Sequence, residues 1–328
     1  MKTEILRLLR GQDGYVSGQQ LCEQLGVSRT AVWKVINQLK DEGYQVEAIR
    51  NKGYRILNQP DLMTQEEIQS RIADSTKWAG QSLYVYPVTD STNIQAKQLG
   101  DIGALHGTLV VADKQNAGRG RRGRSWESPQ GCSIYMSILL RPNFMPDKAS
   151  MLTLVMAYSV YKALKNCTGL NVQIKWPNDL VINGKKVVGI LTEMSTEIDY
   201  INHVVIGVGI NVNMESFPME IAEKATSLRI EAGGVIQRSQ IIAEIMRQFE
   251  QGYEKFLETE DLSWLKDAYN TCLVNCGREV LIHGAENPYC AQALGINDTG
   301  ELLVRREDGS EEAVYAGEVS VRGIYGYV

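Results

Sequence analysis

The chain has 328 residues, 44% of them hydrophobic, and a formal net charge of −5 at pH 7. This length suggests two or three domains, and the apolar residues are numerous enough for buried cores. The sequence contains no run of 18 apolar residues, and its first segment is charged. These features exclude a membrane span and a signal peptide, so we expect a cytoplasmic protein with no membrane partner.

Six cysteines and three histidines are scattered along the chain. No histidine stands at zinc-ligand spacing from the closest cysteine pair, so we expect reduced thiols and no tightly bound structural metal. The charges are unevenly distributed, because residues 1–60 carry nine Lys and Arg against six Asp and Glu, whereas the rest carries 25 against 33. A basic head on an acidic body is typical of a DNA-contacting module attached to another domain.

Three short helices are predicted in the head. Residues 2–10 have an amphipathic pattern, and Ser17 can cap a second helix that ends before Gly26. In a third helix, residues 28–40, apolar side chains recur at the spacing of one buried face: Val32, Val35, Ile36 and Leu39. The glycine-containing turn between the last two helices predicts a helix-turn-helix that begins at Gly18 and ends at Asn37.

The exposed face of the third helix carries side chains of the kinds that reach phosphates and base edges: Ser28, Arg29, Thr30, Lys34 and Asn37. The next segment, YQVEAIRNKGYRIL, predicts a hairpin, so the head looks like a winged helix. Its wing would present Arg50, Lys52 and Arg55 to a phosphate backbone. The alternative is a small protein-interaction domain with a solvated basic face.

A domain boundary is expected near residue 63. Residues 58–65, NQPDLMTQ, have the composition of a linker. Thr64 and Glu67 have the spacing of a capping box, which predicts the start of a new helix immediately after the linker.

The segment AGRGRRGRSW, residues 117–126, formally contains the G-x-G-x-x-G dinucleotide fingerprint. We reject that interpretation, because the segment leads into turn residues and the strand CSIYMSILL rather than into a helix. What remains is a cationic loop whose glycines allow close backbone approach and whose arginines suit phosphates. We expect an anionic ligand to order this loop; the alternative is a solvated or nucleic-acid-binding patch.

Three further segments are candidates for a site. Residues 172–194 predict an antiparallel meander of three strands with a hairpin turn at Asn183-Gly184. Residues 203–214 predict an apolar strand whose glycines allow close approach. The sequence DSTN, residues 90–93, follows a predicted strand, and its residue types fit a helix cap and a ligand site equally well.

Four motifs occur in the order DSTN, QNAGRGRRGRSW, KWPNDL with NGKKVVGIL, and GVGINV. Together they resemble the bifunctional biotin–protein ligase and biotin operon repressor family, and the resemblance extends into the C-terminal GEVSVRG. It implies an α+β multidomain fold with a winged helix-turn-helix at residues 1–62, a class II synthetase-like mixed α/β catalytic domain at 63–270 and an SH3-like β-barrel at 271–328. Short alternating strands after residue 271 support the last domain independently.

The resemblance also implies the residues of a site for biotin and ATP. The biotin-binding set is Ser91, Thr92, Asn93, Gln115, Arg119, Gly120, Arg121 and Lys186. The set at the ATP and adenylate is Gly118, Arg119, Arg121, Arg122, Gly123, Arg124, Trp126, Lys175, Asn178 and Asn211. Of these, Arg121 and Lys186 are the implied catalytic residues, and Mg²⁺ would enter together with ATP.

The implied reaction needs no protein nucleophile, and the sequence contains no evident Ser-His or Cys-His constellation. The carboxylate of biotin attacks the α-phosphorus of ATP, and cationic side chains neutralise the developing charge. An acceptor lysine, such as that on the biotin carboxyl carrier of acetyl-CoA carboxylase, then displaces AMP. The resemblance further implies that biotinyl-AMP promotes a homodimer, which binds operator DNA and represses genes of biotin synthesis or transport.

Three other functions share parts of this pattern. A lipoate–protein ligase would use the same chemistry, but the winged-helix head and GRGRRG argue against it. A transcription factor that only senses a ligand would not need Lys186 and all four loop arginines. A synthetase-like RNA binder is disfavoured because the body of the chain is acidic.

Overall fold

The computed structural model describes residues 1–197, 200–283, 288–315, 320–323 and 328. Its helices are α1 Lys2–Arg10, α2 Gly18–Leu25, α3 Arg29–Asp41, α4 Gln65–Ile72, α5 Thr92–Asp101, α6 Met151–Thr168, α7 Leu228–Ala232, α8 Arg238–Thr259 and α9 Lys266–Cys272. Its strands are β1 Gln45–Ile49, β2 Gly53–Asn58, β3 Leu83–Tyr86, β4 Thr108–Ala112, β5 Ser133–Leu140, β6 Val172–Lys175, β7 Asp179–Ile182, β8 Lys185–Thr196, β9 Ile201–Asn211, β10 Glu279–His283, β11 Tyr289–Ile296, β12 Leu302–Arg305, β13 Glu311–Val314 and β14 Ser320–Gly323. No helix within the described ranges is long and apolar enough to cross a membrane.

The head is a three-helix unit with a two-stranded wing, as the sequence predicts. The hydroxyl of Ser17 accepts a hydrogen bond from the Gln20 backbone at 3.0 Å, and Ser28 caps α3 in the same way. Gly26 ends α2 in the left-handed conformation. The apolar faces of the helices and β1 meet in one core, which includes Ile5, Leu6, Leu21, Val32, Val35, Ile36, Leu39 and Val46.

The linker helix α4 begins as predicted, but only half of the predicted capping box forms. The Thr64 hydroxyl accepts from the Glu67 backbone N–H at 3.3 Å. The Glu67 carboxylate is instead fully buried and forms ion pairs with Arg10 of α1 and Arg71 of α4. A buried carboxylate without cationic partners would cost far more free energy than a missing second capping bond, so the ion pairs prevail.

The middle of the chain folds around a seven-stranded mixed sheet in the order β3-β4-β5-β9-β8-β7-β6. The β3–β4 pair is parallel and the other neighbouring pairs are antiparallel. Helix α5 covers one face through Ala96, whereas α6 and α8 cover the other. The predicted meander is confirmed, since β6, β7 and β8 pair in sequence and turn at Asn183 and Gly184, both with positive φ.

The last part of the chain forms an antiparallel sheet in the order β13-β12-β11-β10-β14. Among the described residues, no pairing between β13 and β14 closes this sheet into a barrel. Residues 316–319, which include the start of the GEVSVRG motif, lie outside the described residues. The sheet is attached to the central one through Trp176, whose indole donates to the Gly300 carbonyl at 3.0 Å, and Asn275, which accepts from the Trp176 backbone at 2.9 Å.

The wing is joined to the start of the second helix at a position that only glycine fits. Val16 and Tyr54 exchange two backbone hydrogen bonds of 2.9 Å. A Cβ on Gly53 would lie 2.0 Å from the Val16 carbonyl oxygen, and the φ of Gly53 is +121°. Gly14 has the same φ, but a Cβ there would meet no atom within 4 Å. A comparison of substitutions at the two glycines therefore distinguishes the cost of backbone strain, which both share, from the cost of a steric clash, which arises only at Gly53.

We expect Gly53→Ala to destabilise the head markedly more than Gly14→Ala. Gly14→Ala should cost about 1–3 kcal/mol, the strain of a non-glycine residue at this φ. Gly53→Ala adds a clash with backbone atoms, which should raise the cost by at least about 2 kcal/mol. Hydrogen exchange of residues 1–58 in the full chain measures both values. Equal destabilisation by the two substitutions would contradict this account of the wing junction.

Candidate functional site

A cavity of about 480 Å³, including its open mouth, lies where the start of α5, the loop at 117–126 and strands β8 and β9 meet. Residues predicted for the site that line the cavity are Ser91, Thr92, Asn93, Gln115, Arg119, Gly120, Arg121, Trp126, Asn178 and Lys186. Lining residues that the sequence analysis did not name are Tyr135, Gly189, Ile190, Leu191, Gly207, Val208 and Gly209.

Glycines on β8 and β9 form the floor of the cavity. A Cβ on Gly207 would lie 2.0 Å from the Asn93 side-chain oxygen, and one on Gly209 would lie 2.7 Å from the Trp126 ring. Gly189 on β8 has the same relation to Trp126, at 2.8 Å. The predicted close approach of other groups to the glycines of β9 is confirmed. The missing side chains give the indole and the amide room to reach the sheet.

A chain of hydrogen bonds joins the polar residues of the floor. Gln115 accepts from both the backbone N–H and the hydroxyl of Thr92, at 2.8 and 3.1 Å. Ser137 on β5 lies 2.8 Å from the Thr92 hydroxyl and 2.6 Å from the Asn93 oxygen. The amide nitrogen of Asn93 donates to Glu193 at 2.7 Å. These hydrogen bonds fix the side chains before a ligand arrives. Binding therefore requires little rearrangement of the donors and acceptors in the cavity.

The DSTN motif therefore contributes more to the cavity than to a cap. Ser91 stands at the cap position of α5, but its side chain makes no capping hydrogen bond. Asp90 performs part of that task, since its carboxylate accepts from the Ser91 backbone at 2.6 Å and from Gln95 at 3.0 Å. Residues 91–93 all line the cavity.

The loop at 117–126 forms a compact hairpin with its own backbone hydrogen bonds. The Gly120 N–H donates to the Arg124 carbonyl at 2.7 Å, and the Trp126 N–H donates to the Gly118 carbonyl at 2.9 Å. One 3₁₀ turn, Arg121–Gly123, stands where the dinucleotide motif would need a helix, and β5 follows. The structure thus agrees with the rejection of that motif, while the expected ordering of the loop by a ligand stays a prediction.

The four arginines of the loop divide into two pairs. Arg119 and Arg121 line the cavity, whereas Arg122 and Arg124 lie outside the lining. Arg121 donates to the Asn178 side-chain oxygen at 3.0 Å, and Asn178 in turn donates to the Ile190 carbonyl at 3.0 Å. Burial lowers the pKa of Arg121, although a guanidinium stays charged at neutral pH. The KWPND motif therefore orients a loop arginine towards the cavity.

Lys186 is held from three directions. Its ammonium lies 2.6 Å from an Asp179 carboxylate oxygen and 5.2 Å from the centre of the Trp126 ring. Its backbone donates to the Lys224 carbonyl at 2.8 Å and accepts from the Thr226 N–H at 2.9 Å. The sequence analysis named neither Asp179 nor the segment at 224–226. Asp179 stands within KWPNDL and on the strand that pairs with the lysine strand, so the hairpin register offered a signal for it.

Some residues predicted for the nucleotide end lie outside the cavity lining. Lys175 is 4% exposed at the end of β6, and Asn211 is 7% exposed and donates to the Thr226 carbonyl at 3.1 Å. Gly118 packs below the loop, where a Cβ would lie 2.4 Å from the Trp126 carbonyl oxygen. Gly123 stands in the 3₁₀ turn with a φ of +71°.

The head presents a second surface, formed by α3 and the wing. Ser28, Arg29, Thr30 and Lys34 are exposed on or next to α3, and Asn37 is partly exposed. A groove between α3 and the wing is lined by Gly18, Arg29, Arg50 and Lys52, among others. The cationic groups of Lys52 and Arg55 each lie 5.8 Å from the centre of the Tyr15 ring. The predicted recognition helix and the basic wing thus form one continuous surface.

Comparisons with known proteins give the same arrangement of modules. Residues 2–55 match the HTH domain, residues 85–211 the Biotin/lipoate A/B protein ligase family and residues 276–322 the Biotin protein ligase C terminal domain. The chain is 41% identical over 309 residues to the Bifunctional ligase/repressor BirA of Bacillus subtilis (strain 168), which covers 94% of each chain. It is 33% identical over 307 residues to the protein of that name from Escherichia coli (strain K12), covering 93% of this chain and 92% of that one.

Among solved structures, the chain is similar to the biotin protein ligase from Aquifex aeolicus in complex with biotin and ATP. The TM-score is 0.65 at 31% sequence identity, and the match covers 74% of this chain and 99% of that one.

Glu193 is the acidic end of the hydrogen-bond chain in the cavity floor. Burial acts to raise its pKa, but the ion pair with Lys97 and the bond from Asn93 outweigh burial and hold the pKa below the usual glutamate value. A carboxylate whose pKa is lower in the folded state contributes stability above its unfolded pKa, and that contribution is lost as the pH falls through the folded pKa.

We therefore expect the difference in melting temperature between wild type and Glu193→Gln to be largest near pH 7. It should shrink towards zero as the pH falls below about 4, under the unfolded glutamate pKa. Thermal unfolding measured from pH 7 to pH 3 tests this. Glu258→Gln, at an exposed position, serves as the control and should differ little from wild type throughout. A difference for Glu193→Gln that does not change with pH would contradict the assignment.

Proposed function

This chain belongs to the bifunctional biotin–protein ligase and biotin operon repressor family, and we propose that it both biotinylates an acceptor protein and represses transcription in response to biotin. The enzyme is an ATP-dependent ligase that forms biotinyl-5′-AMP and then an amide with an acceptor lysine. The observation that carries this proposal is the cavity, where two loop arginines and Lys186 lie close to polar residues that are already joined by hydrogen bonds. The same chain also carries the helix-turn-helix head.

We infer that the polar floor takes biotin and that the cationic groups take the phosphates and carboxylate. Thr92 and Gln115 supply neutral donors and acceptors of the kind that a cyclic urea needs, and Tyr135 with Val208 adds apolar surface. Ser91, Asn93, Arg119 and Gly120 complete the biotin end. Arg122, Gly123 and Arg124 would reach the adenylate only if the loop closes further, because they lie outside the present lining.

Charge neutralisation explains the first half-reaction. The weak carboxylate nucleophile and the α-phosphate are both anionic, so Arg121 and Lys186 bring them together and stabilise the charge that develops as pyrophosphate leaves. The contacts from Asn178 and Asp179 hold these two cations in place. We propose that Trp126, Gly118, Lys175 and Asn211 support the nucleotide end from around the cavity.

Mg²⁺ would accompany ATP as a substrate-bound ion and add further charge neutralisation. It usually binds through one or two carboxylates plus phosphates. In the described part of the chain, no group of three or more His, Cys, Asp or Glu side chains is placed to hold a metal ion.

In the second half-reaction, the main task of the protein is to protect the intermediate from water. Biotinyl-AMP is a mixed anhydride that water would hydrolyse, so closure of the loop at 117–126 over it preserves the intermediate. The acceptor amine attacks the anhydride carbonyl, AMP leaves, and the amine loses its proton. We propose a biotin carboxyl carrier protein, such as that of acetyl-CoA carboxylase, as the acceptor.

We propose that the repressor is a homodimer whose formation biotinyl-AMP promotes. Strand β8 continues from Leu191 to Thr196 beyond its last pair with β7, so that within the described residues this stretch lacks a strand partner on that edge. An exposed strand edge next to a ligand cavity is a natural place for two-fold pairing. Leu191 also lines the cavity, so a bound ligand would contact the start of this unpaired edge.

We further propose the domain boundaries at residues 1–62, 63–270 and 271–328, with a class II synthetase-like catalytic domain and an SH3-like barrel at the end. The head core reaches Leu62 and includes no residue of the central sheet. The sheet from β10 to β14 has the short antiparallel strands that such a barrel uses.

We expect Lys186→Ala and Arg121→Ala each to slow adenylate formation by about 10²–10³-fold, because each removes a preorganised cation. Pyrophosphate release with biotin and ATP measures the rate. The control is Lys185→Ala, a neighbouring cation that lies outside the cavity lining and should keep a rate near wild type. Wild-type rates in both test variants would refute the assignment of these residues.

We expect biotin with ATP to tighten binding to an inverted-repeat operator, because two weakly basic heads held together match a two-fold site. Removal of residues 1–62 should abolish DNA binding. Arg29→Ala, Lys34→Ala and Asn37→Ala should each weaken it about tenfold and leave ligation unchanged, whereas Lys40→Ala, at the exposed end of α3, should not. A gel-shift titration with and without biotin and ATP measures the DNA affinity. An affinity that does not change when biotin and ATP are added would contradict the prediction.

A further inference from the structure

One buried carboxylate joins the head to the rest of the molecule. Glu67 in the linker helix α4 is 0% exposed and accepts from Arg10 at 2.6 and 2.8 Å and from Arg71 at 2.9 Å. It also accepts from the Tyr44 hydroxyl and from the Ser239 hydroxyl, the latter at 2.9 Å. Both oxygens of the carboxylate are therefore fully used.

These donors come from three parts of the chain. Arg10 and Tyr44 belong to the head, at the end of α1 and just after α3. Arg71 belongs to the linker helix, and Ser239 stands in the first turn of α8, which covers the central sheet. We name this group of five residues the Glu67 hub. It ties the head and the central domain to one point, which an ordinary flexible linker would not do.

A second buried ion pair fixes the linker just before the hub. Arg238, 3% exposed, donates to Asp61 at 2.6 Å and to Asp113 at 2.7 Å. Asn213 also donates to Asp61, at 2.9 Å. Asp113 follows β4 and Asn213 follows β9, so the linker is bonded to the ends of two strands of the central sheet.

The energetics make the hub stiff. Removal of one partner from a buried ion pair leaves an uncompensated charge, which is strongly unfavourable, so the pairs break only together. The Arg10 guanidinium holds the pKa of Glu67 below its usual value against the opposing effect of burial, so the carboxylate stays ionised at neutral pH. By contrast Arg7, on the same helix, reaches Asp74 just after α4 through an exposed pair of the kind that contributes little.

We propose that the Glu67 hub sets the half-site spacing that the repressor dimer recognises on DNA. This inference rests on the proposed repressor function. In a two-fold dimer, rigidly mounted heads present their recognition helices at one separation and one relative rotation. Each added base pair moves a half-site by about 3.4 Å and rotates it by roughly a tenth of a turn, which rigid heads cannot follow.

A head released from the hub would stay attached through the short stretch at residues 58–60, which precedes the bonds of Asp61 to Arg238 and Asn213. Contacts of α1 with α4, among them the exposed Arg7–Asp74 pair, would also remain. The short stretch spans up to about 3.3–3.6 Å per residue, enough to follow a shift of one or two base pairs. Loss of the hub should therefore relax spacing selectivity, with no change in the base-contacting residues of α3.

The test uses the full chain with biotin and ATP, and an inverted-repeat operator that the wild type selects from a random-sequence library. Affinity is measured for this operator and for versions with one or two base pairs inserted at its centre. We expect the wild type to lose at least about tenfold in affinity on insertion, and Arg10→Met to lose no more than about threefold. Arg7→Met is the matched control, an arginine on the same helix with an exposed partner, and should behave like wild type.

Ligation activity of each variant, which none of these substitutions should change, reports that the central domain is intact. If Arg10→Met does not fold, the milder double substitution Tyr44→Phe with Ser239→Ala removes one donor from the head and one from α8. Two outcomes would contradict the role of the hub and leave the repressor function standing. Either an active hub variant keeps the spacing selectivity of the wild type, or the wild type itself binds all spacings equally well. A wild type that selects no inverted repeat would overturn the repressor function as well.

Discussion

The close approach of side chains to the backbone of β9 is the constraint on which the site depends. Positions 207 and 209 carry no side chain, so the Asn93 amide and the Trp126 indole rest directly on the strand. Trp126 in turn carries the Lys186 ammonium over its ring, and Asn93 anchors the hydrogen-bond chain of the floor. A single methyl group at either glycine would displace one of these two arrangements.

Electrostatic balance is achieved differently in the site and in the hub. In the site, the described residues that line the cavity include Arg119, Arg121 and Lys186 and no Asp or Glu, so the lining presents positive charge to an anionic substrate. In the hub, Glu67 meets two arginines in a place closed to solvent, so the pairing is complete and serves position rather than binding. Arginines and carboxylates thus arrange charge for a substrate in the cavity, whereas in the hub they fix the position of the head.

The linker connects these two regions physically. Asp61 is bonded to Arg238, which also holds Asp113 at the end of β4. Gln115, two residues further on, belongs to the cavity floor. A ligand bound at Gln115, as we propose, would act on the same short segment that orients the linker, and this would give biotin binding and DNA binding a shared structural support.

Much of this arrangement follows from local sequence alone. The period of apolar residues and the caps at Ser17 and Ser28 predict the head, and the turn at Asn183 and Gly184 predicts the meander, because such features depend on neighbours within a few residues. Motifs likewise indicate ten of the cavity-lining residues, although they do not single out Tyr135 or the lining glycines of β8 and β9. They do not reveal that only two of the four loop arginines line the cavity, because all four stand in one short stretch of glycines and arginines.

Only the tertiary structure decided the partner of Glu67. Its spacing from Thr64 predicts a local capping box, but the carboxylate bonds to Arg10 and Ser239, 57 and 172 residues away in sequence. The physical reason is burial: once the head packs against the central domain, an ionised group in the interior must find charged donors, whatever their distance along the chain.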